Sequence, residues 1–182
     1  MENNADVTEL RPGIFQIRGR NGSSHSYVVK GNYKNVMIDS GSDQSFPVLE
    51  RGLFEIGLKV RDIDLVINSH EHCDHIGANR YFHESAMIAA YRLAASKMIS
   101  GDYYVTMYKG NDLNEIPMRV HLWLENMTRI DLGNYSLRIF HTPGPHIRLH
   151  FHHRNHPGLT LFGRQRVCRG YAVIYRRIRQ RR

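Results

Sequence analysis

This sequence of 182 residues has few cysteines and no long apolar run. Its two cysteines, Cys73 and Cys168, are too few for a disulfide framework, and no charged-then-apolar leader follows Met1, so we expect a cytoplasmic protein. No window reaches the roughly 18 consecutive apolar residues that a membrane span needs. A chain of this length can bury a core of its own. We therefore expect one soluble domain and no membrane partner.

Acidic residues and lysine are absent from the end of the chain. Residues 145–182 hold ten arginines and five histidines, whereas residues 1–144 hold all 17 Asp and Glu against 15 Lys and Arg. The net charge of +8 therefore belongs entirely to this tail. We predict a boundary at Gly144, with residues 145–182 forming an Arg-rich, aberrant and disordered tail. Clustered arginines can bind phosphates, but basic runs are often only solvated, so nucleic acid is not the favoured partner.

The first part of the chain has the pattern of a β-meander. Short apolar runs at residues 14–17 and 26–29 flank a turn-rich segment, and a third run at 35–39 ends at Ser40 and Gly41. Residues 64–68 form a short apolar run of the kind found in buried strands, and this run leads directly into Ser69 and His70. Further strands are predicted at 87–90, 120–124 and 135–140.

Helices are predicted between these strands. Phe46, Leu49, Leu53 and Ile56 recur at spacings of three and four, which indicates a one-sided helix over residues 44–56 that ends at Gly57. Shorter helices are predicted over residues 78–82 and 91–99. Alternating strands and helices favour an α/β sandwich.

Four residues with metal-binding side chains lie within six positions of one another. His70, His72, Asp74 and His75 offer imidazole nitrogens and a carboxylate, which are the donors that zinc prefers in open catalytic sites. In an extended segment residues 70, 72 and 74 point the same way, and a tight turn at 74 and 75 can direct the last two toward a second ion. Cys73 then faces away from its neighbours. A single histidine here is best interpreted as polar surface, but the cluster predicts a metal site.

The run from Val66 to Gly77, Val-Ile-Asn-Ser-His-Glu-His-Cys-Asp-His-Ile-Gly, resembles the H-x-H-x-D-H signature of the metallo-β-lactamase superfamily. Asp39-Ser40-Gly41 similarly resembles the Asp-Thr-Gly turn that precedes this signature in the family. The resemblance covers residues from about 10 to 144. It implies an αββα sandwich with a binuclear zinc site at one sheet edge, and here the C-terminal part of that sandwich is expected to be incomplete.

The resemblance also implies a role for each residue of the cluster. His70 and His72 would bind the first zinc ion, and Asp74 and His75 the second. A metal-bound hydroxide would attack an ester, thioester, lactone or lactam, with Asp74 as the catalytic residue that orients it. Asp39 is a candidate for holding a ligand imidazole in place. The expected partner is a small-molecule substrate, which the sequence does not identify.

The family pattern breaks after Gly144. The next signature of the family is Thr-Pro-Gly-His-Thr, whose histidine is a metal ligand, but here Thr142-Pro143-Gly144 is followed by Pro145. His146 comes one residue late, and His141 precedes the motif. The family's bridging aspartate should follow some twenty residues later, but residues 145–182 contain no aspartate. The chain as written is therefore expected to have only part of the site.

An inserted base near Gly144 would account for both the lost ligands and the odd composition. When the codons from Pro145 onward are read one base later, they permit His-Thr-Ser directly after Gly144 and an aspartate at the codon of Arg164. We therefore favour a frameshift over a low-complexity tail. We expect weak zinc binding, impaired hydrolysis and poor solubility. A noncatalytic metal-binding remnant and a polyanion-binding protein are the alternatives.

Overall fold

The computed structural model describes residues 7–101, 103–107, 119–141, 147–153 and 156–162, the last two ranges by their backbone alone. Within these residues, eleven strands form a seven-stranded and a four-stranded sheet. None of the helices described there combines the length and the apolar character that are needed to cross a membrane.

The seven-stranded sheet follows the order of the chain, from β1 to β7. Its first four strands pair antiparallel and its last three continue in parallel, so the sheet changes character between β4 and β5. The parallel strands β5 and β6 are nearly continuous apolar runs because both of their faces are mostly covered. The strands are β1 (Val7–Arg11), β2 (Ile14–Ile17), β3 (Ser26–Lys30), β4 (Asn35–Ile38), β5 (Leu65–Asn68), β6 (Met87–Tyr91) and β7 (Leu122–Leu124).

The four-stranded sheet is antiparallel throughout. Its spatial order is β11, β10, β9 and β8. These strands are β8 (Arg129–Asp131), β9 (Tyr135–His141), β10 (Ile147–His153) and β11 (His156–Phe162).

Helices follow the strands of the larger sheet. They are α1 (Phe46–Glu55), α2 (Cys73–Ile76), α3 (Arg92–Ser100) and α4 (Tyr103–Thr106), with short 3₁₀ turns at Asp43–Ser45, Val60–Asp62 and Asn79–Phe82. Pro47 occupies the first turn of α1, where its missing N–H is tolerated. Gly101 ends α3 in the left-handed conformation, with φ of 64°.

The core is layered. One apolar cluster joins the two sheets face to face, with Ile38 and Ile67 from the larger sheet meeting Leu137 and Ile139 from β9. A second cluster covers the other face of the larger sheet, where Leu49 and Leu53 of α1 pack among its side chains. Helices, the larger sheet and the smaller sheet thus form three successive layers in the described residues. The predicted α/β sandwich is confirmed.

Most of the predicted elements appear within one or two residues of their expected ends. The strands β1 and β8 were not predicted, since the first mixes exposed polar residues with few apolar ones and the second has three residues. The predicted helix over residues 78–82 is a 3₁₀ turn at Asn79–Phe82.

The prediction that the whole tail is disordered is wrong for residues 147–153 and 156–162. There the backbone forms β10 and β11, and β10 pairs with β9 from Ile147 opposite His141 to His153 opposite Tyr135. The smaller sheet therefore continues past the predicted boundary at Gly144. The physical reason is a period of two, since Ile147, Leu149 and Phe151 alternate with basic residues in the sequence. Residues 163–182 lie outside the described part.

Candidate metal centre

The candidate site lies where two parallel strands end. β4 and β5 pair in parallel with Ile38 opposite Ile67, so the loops that follow them meet at one sheet edge. The backbone N–H of Asp39 donates to the carbonyl of Ile67 at 3.0 Å, which extends this pairing into the loop. The carboxyl ends of parallel strands are the usual place for ligands in open α/β sheets.

Three of the predicted ligands form one compact group. His70, Asp74 and His75 each offer a ligand atom, and these atoms lie within 4.8 Å of one another. The two histidines are buried, at 0% and 1% exposure, whereas the Asp74 side chain is 38% exposed. The Nε2 atom of His75 lies 3.4 Å from Oδ2 of Asp74. Two imidazoles and a carboxylate fit the chemistry of a catalytic zinc site.

A helical turn produces this grouping. His72 is extended, with φ of −76° and ψ of 148°, and α2 begins at the next residue. The carbonyl of His72 accepts hydrogen bonds from the N–H groups of His75 and Ile76, at 2.9 and 3.1 Å. The expectation of an extended chain through residue 74 is therefore wrong from Cys73 onward, and Asp74 and His75 lie on a turn of helix.

The turn is held against the loops around it. The carbonyl of His75 accepts hydrogen bonds from the N–H groups of Ser40 and Gly41, at 2.9 and 3.2 Å, and Ser24 donates its N–H to the carbonyl of Asp74 at 3.0 Å. Gly77 permits the close packing, because an added Cβ there would lie 2.6 Å from the carbonyl oxygen of Cys73 and 2.7 Å from the N atom of Asp43. The backbone under the candidate ligands is thus fixed from three directions.

Asp39 links this loop to β4. Its carboxylate accepts the backbone N–H of Ser69 at 2.7 Å and the Ser69 hydroxyl at 2.6 Å, and it lies 2.7 Å from Nδ1 of His75. A carboxylate only accepts, so Nδ1 of His75 carries the proton and Nε2 keeps its lone pair for a metal. Asp39 is 1% exposed and left-handed, with φ of 57°, a conformation that Asp tolerates better than most residues. Asp39 thus lies beside an imidazole of the predicted ligand cluster, and the role of that imidazole as a ligand stays a prediction.

His72 lies outside the compact group. Its ring centroid is 4.9 Å from that of His70 in an edge-to-face arrangement, whereas the rings of His70 and His75 are 3.7 Å apart. The predicted division, with His70 and His72 on one ion and Asp74 and His75 on another, differs from this grouping because the helix turns residues 74 and 75 toward His70. The assignment of the four residues to ions stays a prediction.

The neighbouring cysteine is not in the group. Cys73 is half-buried, and burial raises the pKa of its thiol, with the Asp74 charge acting in the same direction. A raised thiol pKa keeps Cys73 protonated near neutral pH, and a protonated thiol is a poor metal ligand. This agrees with the interpretation of Cys73 as a bystander.

The residues around the broken motif are described only in part. His141 is the last residue of β9, and its ring stacks on Tyr91 with centroids 4.4 Å apart and planes at 10°. Its N–H donates to Oδ1 of Asn126 at 3.0 Å. Residues 142–146, which include His146 and the altered signature, lie outside the described residues. The predicted loss of a ligand there is thus a statement from the sequence alone.

Three further residues of this region, Ser69, Glu71 and Lys97, were not predicted as part of the site. Ser69 donates its hydroxyl to Asp39, and Oγ lies 3.1 Å from Nδ1 of His70. Glu71 is 1% exposed, and its Oε1 lies 2.6 Å from Nζ of Lys97. A charged residue between two candidate ligands was the one available signal, and it did not identify Lys97 as the partner because 26 residues separate the two.

Comparisons with known proteins identify the family of this chain. The family model of the metallo-beta-lactamase superfamily matches residues 19–156. A protein from Methanocaldococcus jannaschii named as a probable metallo-hydrolase is 35% identical over 136 residues, which are 72% of this chain and 62% of that protein. The chain belongs to the metallo-beta-lactamase superfamily.

Solved structures show the same fold. A metallo-beta-lactamase from Cronobacter sakazakii with substitutions in its HARLDQ motif superposes with a TM-score of 0.71 at 23% identity, over 85% of this chain and 62% of that one. A subclass B3 metallo-beta-lactamase of Bradyrhizobium japonicum gives a TM-score of 0.71 at 23% identity, over 86% and 61%. The chain thus spans less than two thirds of the length of these relatives.

Proposed function

We propose that this protein is a zinc-dependent hydrolase acting on a small-molecule ester, thioester, lactone or lactam, with turnover impaired in the chain as written. The observation that carries the proposal is the compact group of His70, Asp74 and His75, whose ligand atoms lie within 4.8 Å of one another. Membership of the superfamily supports hydrolysis as the type of reaction.

The donor set suits zinc. His75 is fixed by Asp39 in the tautomer that leaves Nε2 free to coordinate, as in many zinc sites where a carboxylate accepts the other ring proton. His70 and Asp74 complete three protein ligands, and His72 is the candidate to begin a second site beside them. Two ions are expected in an intact family member.

Zinc, when bound, activates water for attack at neutral pH and polarises the carbonyl that is attacked. The chain's own residues then have separate tasks. His70 and His75 are buried, so they hold their positions, whereas the exposed Asp74 carboxylate can accept a hydrogen bond from the attacking water and orient it. No nucleophilic side chain is required.

Impairment is proposed because the chain as written lacks two of the family's later ligands. Pro145 stands where the signature has histidine, and residues 145–182 supply no aspartate to bridge two ions. A site with three good donors binds zinc more weakly than a complete one. We therefore propose weak, incomplete occupancy, with hydrolysis reduced for the same reason.

Metal content tests this proposal directly. The purified chain, dialysed against a slight excess of zinc, is expected to retain zinc by inductively coupled plasma mass spectrometry, and His70→Ala should lose it. His83→Gln is the matched control, because this half-buried histidine belongs to no metal-ligand group among the described residues. Equal zinc in wild type and His70→Ala would overturn the proposal. Hydrolysis is measured in parallel on one chromogenic substrate of each of the four classes.

A noncatalytic metal-binding remnant is the second candidate, favoured by the missing ligands. It predicts zinc binding that depends on His70, together with no zinc-dependent turnover of any of the four substrates. The two candidates therefore differ only in the hydrolysis measurement. Any turnover that falls to background in His70→Ala decides for the hydrolase.

A further inference from the structure

Glu71 is a buried charged residue between two candidate ligands. Its side chain is 2% exposed, and it stands directly between His70 and His72 in the chain. Burying a carboxylate is strongly unfavourable unless an opposite charge or hydrogen bonds compensate. Its Oε1 accepts from Nζ of Lys97 at 2.6 Å, and Oε2 has no hydrogen-bond partner among the described residues. Lys97 is thus the main compensation that this carboxylate receives there.

Lys97 comes from a different element, the helix α3. The inner face of α3 packs through Ala94, Ala95 and Met98 against Ala90 of β6 and Ile76 of α2. The position of Lys97 is therefore set by the core and not by the loop that it contacts. Its side chain is 42% exposed, so the ammonium reaches Glu71 from the solvent side.

The loop of candidate ligands, residues 69–75, is consequently held on two sides. On one side Asp39 of the loop after β4 binds Ser69 and His75. On the other side Lys97 of α3 binds Glu71. The backbone of residues 70–72 lies between these two fixed points, and it carries the rings of His70 and His72.

We propose that Glu71 and Lys97 are positioning residues of the metal centre, which fix the backbone of residues 70–72 so that His70 and His72 present their rings to the metal. This inference rests on the proposed function. Without the ammonium, the buried carboxylate must move toward water, and the two histidines bonded to it through the backbone move with it. The expected result is loss of metal affinity without loss of a metal ligand.

The first variant is Lys97→Met, which keeps the stem of the side chain and removes the charge. Zinc affinity, measured by competition with a chromogenic chelator, is expected to fall about 10-fold or more, the range found for residues that hold metal ligands in place. In the cobalt-substituted protein the visible absorption bands should shift, because they report the geometry around the ion. A purely structural role for Lys97 would lower the melting temperature and leave both readouts unchanged.

Lys34→Met is the matched control. Lys34 pairs with Asp64 at 2.9 Å, and Asp64 directly precedes β5 whereas Glu71 follows it, so the substitution breaks a lysine–carboxylate pair beyond the other end of that strand. It should leave zinc affinity and the cobalt spectrum as in wild type. Lys97→Arg should restore most of the affinity that Lys97→Met loses.

A double variant separates positioning from stability. Glu71→Met with Lys97→Met replaces both partners by apolar side chains, a change that is often neutral for stability. We expect a melting temperature near that of wild type and zinc affinity still reduced about 10-fold. Wild-type zinc affinity in the double variant would overturn the inference. The double variant also serves as the test if Lys97→Met alone fails to fold.

Amide hydrogen exchange in the metal-free protein tests the inference independently of zinc. The N–H groups of His75 and Ile76 donate to the carbonyl of His72, so their exchange reports whether the turn after residues 70–72 keeps its place. Lys97→Met should speed exchange across residues 69–76, and Lys34→Met should not. Unchanged exchange there would refute the positioning role. Absence of zinc from the wild-type protein would instead refute the proposed function. The exchange rates of Lys97→Met and Lys34→Met would then still decide whether Lys97 fixes residues 70–72.

Discussion

Charged residues are arranged differently in two regions of the molecule. These are the loop of candidate ligands, residues 69–75, and the basic tail, residues 145–182. At residues 69–75 each buried carboxylate has a partner: Asp39, from the loop after β4, lies 2.7 Å from His75, and Glu71 lies 2.6 Å from Lys97. In the tail ten arginines have no acidic residue of their own segment to pair with. The metal centre therefore depends on donors and carboxylates held at fixed distances, which the charge density of the tail does not supply.

Restoring the reading frame after Gly144 should have the largest effect on zinc content and hydrolysis. A chain recoded to give His-Thr-Ser after Gly144 regains the missing histidine and aspartate, so we expect two tightly held zinc ions and turnover higher by orders of magnitude. Metal content and hydrolysis are measured beside the chain as written. Two tightly bound zinc ions in both chains would contradict the frameshift account and show that groups of the present tail complete the site.

Asp39→Asn should have the next largest effect. Asn fits the left-handed backbone at this position, but its neutral amide accepts more weakly from Ser69 and no longer favours the proton on Nδ1 of His75. We expect zinc affinity about 10-fold weaker by chelator competition. Asp43→Asn, which alters the half-exposed ion pair with Arg80 at 2.8 Å, is the control and should bind as wild type does. Equal loss in the two variants would argue against a specific role for Asp39.

Gly77→Ala should destabilise the fold around the loop. The added Cβ would meet the carbonyl oxygen of Cys73 at 2.6 Å, so backbone must shift, at a cost of about 1–3 kcal/mol. Gly57→Ala is the comparison, since φ there is 75° but nothing lies within 4 Å, and the cost is about 1 kcal/mol from the left-handed backbone. Urea unfolding measures both. A smaller loss for Gly77→Ala than for Gly57→Ala would contradict the close packing.

Truncation after Phe162 should have the smallest effect on the metal centre. Residues 163–182 contain eight of the tail's ten arginines, so if the polyanion-binding alternative holds, their removal should abolish salt-dependent binding to heparin or to DNA; zinc content should stay unchanged in either case. Affinity chromatography over a salt gradient measures the first property. Polyanion binding that survives truncation would show that residues 163–182 are not its source.

Local patterns were sufficient to predict most elements of this fold. The apolar residues Leu65, Val66 and Ile67 predicted the buried strand β5, and the spacing of Leu49 and Leu53 predicted the helix α1. The strands of the tail were not predicted because the Arg-rich composition of residues 145–182 indicated disorder. The two-residue alternation of apolar residues with histidine and arginine is the pattern that indicates these strands. Within the site, the six-residue motif identified the candidate ligands but not how they group.

The amino-acid sequence alone specifies the available donors, which are three histidines and an aspartate after a buried strand, and it shows an acid-free tail. Which of these atoms meet depends on the fold. The start of α2 at Cys73 turns Asp74 and His75 toward His70, and the parallel register of β4 and β5 brings Asp39 to His75 across 36 positions. The spacing of apolar residues along the sequence indicates only which face of a single helix or strand is buried. Contacts between distant positions depend on strand register and helix packing, which no local pattern contains.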